Sequence, residues 1–211
     1  MNLEKLKQAE QNFLRRYPGG FTHPEIMEIS KKHKPEKMFD MALERFGIEK
    51  FSNSKGIVES MIKIINSSSM VSLFEKPKFR DFANQLDDDR RNLITEGLKQ
   101  LLHGNKESGF EILVEMLGEE KLAKWTLMTI IPVYYSPDKE VFVKPTTTKG
   151  VIEYFELENL IYKPLPTYDF YCRYREEINN MKKEVSSLLS PSNPAFSGFL
   201  MMVMEGLEPL G

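Results

Sequence analysis

Apolar residues recur at helical spacing through the first two thirds of the chain, and the breaks between runs carry proline, glycine or serine. Leu3, Leu6, Phe13 and Leu14 fall close to one face of a polar opening segment. It stops at Tyr17-Pro18-Gly19-Gly20, because proline and paired glycines end helices. Pro24 suits the first turn of a second helix with Ile26, Met27 and Ile29 apolar. Pro35 closes that helix and opens a third, in which Met38, Met41, Ala42 and Phe46 share a stripe before Gly47. "SNSKGIVESMIKIINSSS" begins with serine and asparagine caps and continues with Ile57, Met61, Ile64 and Ile65 at helical spacing, with its exit at Ser67 to Ser69.

"LDDDRRNLITEGLKQLLHGN" predicts a helix on three counts. Its aspartates sit where a helix N-terminus favours negative charge, Leu93, Ile94, Leu98, Leu101 and Leu102 form a stripe, and His103-Gly104-Asn105 supplies the stop. "ESGFEILVEMLGEEK" repeats the logic with Phe110, Leu113, Val114 and Leu117 before Gly118. From Glu120 a further helix is predicted through Trp125 to Pro132. "EVFVKP" is β-branched and aromatic and reads as a short strand between Ser136-Pro137-Asp138 and Pro145, and "ENLIYKP" reads as a second extended piece. Between them Val151, Ile152 and Phe155 have helical spacing. Tyr168 to Leu189 predicts one long amphipathic helix with Tyr171, Tyr174, Ile178, Met181 and Val185 inward, and Pro194 to Glu205 a final helix. The fold class expected is mainly α: one compact multi-helix domain over 1–211, with a small extended or β element near residues 140–145 and a soft subdomain boundary near 104–106.

Composition fits that picture. The chain has 211 residues, of which 41% are hydrophobic and 28% charged, and this is enough to bury a sizeable core. Its net charge of −2 carries no global basic excess of the kind that marks nucleic-acid or membrane-surface binders. Residues 1–104 nonetheless hold 18 basic against 15 acidic groups, and residues 105–211 hold 11 against 16. The one cysteine, Cys172, cannot form an internal disulfide, and the opening segment lacks the apolar run of a signal peptide. "LMTIIPVYY" and "FLMMVM" fall short of the roughly 20 residues that span a bilayer. A cytoplasmic location and no membrane partner are the expectation.

Little in the chain spells catalysis. Three histidines and one cysteine give no metal-ligand spacing, since His23 and His33 stand ten residues apart with Glu25 and Glu28 between. Neither a metal nor a cofactor is implied. Asp87, Asp88 and Asp89 are accounted for by the helix dipole, and no glycine-rich phosphate loop or nucleophile elbow is present.

Three cationic stretches remain. In "VFVKPTTTKGV", Pro145 biases Lys144 toward extended backbone and Thr146 or Thr147 can cap the helix that follows. The resulting strand-to-helix corner gathers free amides, the hydroxyls of Thr146, Thr147 and Thr148, and the ammonium groups of Lys144 and Lys149, all of which suit an anion. "KKHKPEK" places Lys31, Lys32 and Lys34 around a proline turn, and "KPKFR" places Lys76, Lys78 and Arg80 around Phe79. Phosphate contacts by such groups supply salt-dependent affinity without sequence selectivity.

"FLRRYPGGF", "AKWTLMTIIPVYY" leading into "VFVKPTTTKGV", and "IYKPLPTYDFYCRY" together resemble uncharacterised bacterial cytosolic proteins, a resemblance that spans most of the chain and implies no activity, substrate or fold. The lysine-bearing corner is also similar to DNA-backbone contacts in repair proteins, at the level of a motif that transfers no catalytic residue.

The reading is therefore a binding protein that contacts nucleic acid or another phosphate-bearing partner, chiefly through the Lys/Thr corner. One alternative is a protein-interaction module that uses an aromatic and methionine surface, with Met201, Met202 and Met204 as candidates. The other is an enzyme whose site is assembled from dispersed residues such as Tyr162, Tyr168, Arg173 and Glu176.

Overall fold

The structure is a computed structural model that describes residues 1–207. Its architecture is mainly α-helical: α1 (Leu3–Arg16), α2 (Pro24–His33), α3 (Pro35–Arg45), α4 (Ser54–Ser67), α5 (Glu75–Asn84), α6 (Asp88–His103), α7 (Lys106–Gly118), α8 (Trp125–Tyr135), α9 (Pro145–Tyr154), α10 (Tyr168–Lys183) and α11 (Asn193–Leu207). Short 3₁₀ turns at Gly20–Thr22, Ile48–Ser52 and Ser187–Leu189 join them. The starts are chemically fixed: Asn2, Asn53, Asp87 and Asn105 each accept a hydrogen bond from the backbone N–H three residues on, which satisfies one of the donors a helix start leaves unpaired.

Nine of the eleven residues of α8 are buried, so this helix is apolar all round and sits at the centre. It packs against α3, α4, α6 and α7. The buried side chains form one contiguous cluster that runs from Leu6 to Leu200. α6 and α7 make an antiparallel hairpin in which the helices meet backbone to backbone. A Cβ on Gly109 would lie 2.2 Å from the Leu101 nitrogen and 2.6 Å from the Gly97 oxygen. The first helix closes against the last third of the chain. Asn2 N–H donates to the Phe155 carbonyl at 2.7 Å, and Glu10 Oε1 accepts from the Ser186 N–H at 2.6 Å. Gly20, at φ +59°, passes so close to Leu188 that a Cβ would lie 2.4 Å from its carbonyl oxygen.

Four expectations change. α5 forms where only a basic cluster was read, with its proline at the third position, where a missing N–H costs no helical bond. The helix expected from Glu120 does not begin there. Leu122 N–H returns to the Leu117 carbonyl and Lys121 adopts φ +58°, so a turn separates α7 from α8, and α8 then continues through Pro132 instead of ending at it. The long helix expected over Tyr168 to Leu189 ends at Lys183, and Ser186 caps a separate 3₁₀ turn. Finally, no strand is present among the described residues. Residues 140–144 run as an irregular connection, buried over 140–143. The Val141 N–H reaches the Tyr171 hydroxyl at 3.4 Å and the Val143 N–H reaches Thr129 Oγ1 at 3.1 Å. Side-chain oxygens thus take the place of a partner strand.

Candidate functional site

The corner at residues 144–149 is built as expected in its backbone and differently in its side chains. Lys144 is extended (φ −102°, ψ 118°) and Pro145 opens α9, yet no side chain caps the helix. Thr148 is fully buried. Its Oγ1 makes no well-formed hydrogen bond, although the hydroxyl lies close enough to that of Tyr174 to offset part of the burial that pushes the tyrosine up to about 12. Lys144 Nζ lies 3.5 Å from Met201 Sδ on α11, and the Lys149 ammonium lies 5.0 Å from the Tyr162 ring centroid. Each flanking lysine therefore rests on a soft, polarizable partner. Thr146 is exposed and Thr147 half-buried.

The two other basic clusters border one loop. Lys31 and Lys32 end α2, and Lys34 turns the chain into α3 in a left-handed conformation (φ +47°). His33 Nδ1 between them lies 2.7 Å from Ser69 Oγ. The loop that begins there is pinned at both ends. Ser68 Oγ meets the buried Tyr134 hydroxyl at 2.8 Å, and the Glu75 carboxylate accepts from Thr126 Oγ1 at 3.0 Å. Between these anchors Leu73 and Phe74 stand 80% and 82% exposed. Lys76, Lys78 and Arg80 follow on α5, Lys76 half-buried and the other two exposed. Lys76 lies seven positions after Ser69, so even fully extended the chain spans at most about 25 Å between them. Arg80 is paired with Asp81 at 3.1 Å and Lys31 with Glu28, both at exposed positions where ion pairs contribute little.

No hydrogen bond or ion pair joins the dispersed candidates Tyr162, Tyr168, Arg173 and Glu176 to one another. Tyr162 lies under Lys149, Tyr168 packs 5.7 Å from the Phe110 ring, Arg173 pairs with Asp169 at 3.0 Å, and Glu176 is exposed. Met201, Met202 and Met204 are half-buried, with Met202 and Met204 packed on the core.

A buried cluster of charged groups lies elsewhere. Glu140, whose side chain is only 6% exposed, accepts hydrogen bonds from Arg175 Nη1 on both oxygens (3.1 and 3.0 Å), from the Tyr171 hydroxyl (2.8 Å) and from Lys106 Nζ. Burial alone would push this carboxyl up. Lys106, Arg175 and Tyr171 outweigh it and hold the group below the ordinary carboxylate range. The same burial and the facing carboxylate drive the Tyr171 hydroxyl well above its usual value. Asn193 Nδ2 donates to the Glu140 carbonyl (2.9 Å) and to Asn179 Oδ1 (3.1 Å), which ties the start of α11 to α10. Arg175 also lies over the Tyr171 ring and places Nη2 3.7 Å from Cys172 Sγ. Sequence reasoning assigned none of these polar roles. The one signal in the chain was the spacing of Arg175, Asn179 and Lys182, which puts all three on one face of α10.

Among the described residues no group of three or more His, Cys, Asp or Glu side chains is placed to hold a metal ion, and no helix is long and apolar enough to cross a membrane. No known family, curated protein or solved structure matches the chain.

Proposed function

We propose that the protein binds a phosphate-bearing chain, single-stranded nucleic acid in the first instance, on the surface around Leu73 and Phe74. The observation that carries this reading is the hydrogen bond between His33 and Ser69, which sets the Lys31–Lys34 turn against the loop leading to Lys76 and Lys78. Lys31, Lys32, Lys34, Lys37, Lys76, Lys78 and Arg80 offer seven cations against Glu36 within the two stretches, and an excess remains after Glu28 and Asp81 at their edges pair Lys31 and Arg80. Phosphates along a strand meet such an excess with release of counterions. Phe74 supplies an exposed ring on which any base can stack. The Lys/Thr corner is not the main contact in this reading, because Thr148 faces inward and both lysines rest on neighbouring side chains.

Fluorescence anisotropy with a labelled single-stranded oligonucleotide tests it. Binding is expected at low ionic strength and falls steeply with salt. Phe74→Ala weakens it by about 1–3 kcal/mol if a base stacks there, and Lys76→Glu reduces the salt slope by about 0.7 for each phosphate it leaves without a cation. Absence of binding at low salt removes the proposal. So does association of the protein with anionic vesicles, but not with oligonucleotide, through the same residues.

A further inference from the structure

The start of α7, the connection at 138–140 and the polar face of α10 line an open cleft of about 430 Å³, a size common for small-molecule sites. Five cations line it, Lys106, Lys139, Arg175, Lys182 and Lys183, against two carboxylates, Asp138 and Glu140. The Glu140 charge is already saturated by Lys106, Arg175 and Tyr171. Lys139, Lys182 and Lys183 make no ion pair among the described residues. Lys183 Nζ bonds only the Asn180 amide oxygen, and Lys182 Nζ donates to the Asp138 carbonyl at 3.0 Å. Burial lowers the Lys182 ammonium below its ordinary range, an effect that the nearby Asp138 only partly opposes. Placing an incompletely neutralised ammonium in a partly desolvated site has a cost, which an anionic ligand offsets.

We infer that this cleft binds a compact polyanion of the phosphomonoester or pyrophosphate class, with Lys139, Lys182 and the outer edge of Arg175 taking its oxygens. Glu140 is a positioning residue here: its carboxylate fixes Arg175 through Nη1 and Lys106 through Nζ, and Nη2 keeps one N–H beyond the one that faces Cys172 Sγ. A guanidinium held in this way presents a fixed N–H to a phosphate oxygen. The inference is independent of the surface around Phe74, since the two share no residue.

Isothermal titration of the full chain with inorganic pyrophosphate, and separately with citrate, decides the matter. The expected result is a Kd of about 1 mM or tighter for pyrophosphate at low salt, weakened about tenfold by Lys182→Met and by Lys139→Met and unchanged by Lys78→Met. Circular dichroism establishes that each variant is folded, and Lys139, being exposed, gives a readout should Lys182→Met fail to fold. No pyrophosphate binding by the unsubstituted protein overturns the inference, as does binding that neither substitution alters. Citrate bound as tightly as pyrophosphate overturns the phosphate assignment.

Discussion

The Tyr171 hydroxyl and Glu140 Oε2 share a 2.8 Å hydrogen bond deep in the protein, and through it α10 holds a strandless stretch of backbone in place. Replacing Glu140 by glutamine keeps the shape and removes the charge, so Lys106 and Arg175 lose their counter-ion. A fully buried broken pair costs about 3–5 kcal/mol. Because Lys106 and Arg175 stay 37% and 23% exposed and can turn to water, Glu140→Gln is expected to cost about 2–3 kcal/mol, measured by urea unfolding near neutral pH.

The same site fixes an acid dependence. The folded-state pKa of Glu140 lies below its unfolded value, so its contribution is fully present above the ordinary carboxylate range and is lost as pH falls through the folded value. Unfolding free energies of the unsubstituted protein and of Glu140→Gln therefore differ most at neutral pH and converge in acid. A gap that stays constant down the pH scale contradicts this.

Thr148→Val exchanges a buried hydroxyl without a good partner for a methyl group of the same shape. Because the valine also takes the hydroxyl away from the neighbouring Tyr174, the variant is expected to lie within about 1 kcal/mol of the parent, by thermal melts followed by circular dichroism. Oligonucleotide binding is expected to be unchanged. A loss of binding restores the hydroxyl to the site.

Gly109→Ala tests the packing of α6 on α7. The added methyl meets backbone of the facing helix, which cannot rotate away as a side chain can. Overpacking of this kind costs about 1–3 kcal/mol, and the upper end is expected here. Gly118→Ala, where nothing lies within 4 Å of the new Cβ, is the matched control and is expected to be near neutral.

The helices were legible where a single residue announced an end. Asp87, Gly104 and Pro24 did so, and α6 and α2 begin or stop beside them. Pro132 misled because α8 is enclosed on every side, and tertiary packing outweighs the loss of one helical bond there. "EVFVKP" misled for a related reason: its β-branched and aromatic residues are buried as strand residues are, but hydroxyls from Thr129 and Tyr171 occupy its amides and no neighbouring strand competes. The Glu140 centre left almost no local trace. Its members come from residues 106, 140, 171, 175 and 193, and only the folded chain brings them together. The lysines beside Pro145 illustrate the opposite case, since they drew attention as charges and their partners proved to be Met201 and the Tyr162 ring.

The hydrogen bonds of Asn2 and Glu10 to Phe155 and Ser186 bear on the order of events during synthesis. Asn2 and its side-chain partner Glu156 are separated by 154 positions. At about 5–20 residues per second, α1 therefore emerges from the ribosome roughly 8–30 s before these partners exist. α6 and α7 need only each other and can pair at once. α1 is made well before the residues that seat it, and its apolar face, with Leu6, Ala9 and Phe13, waits over that interval for partners such as Phe199.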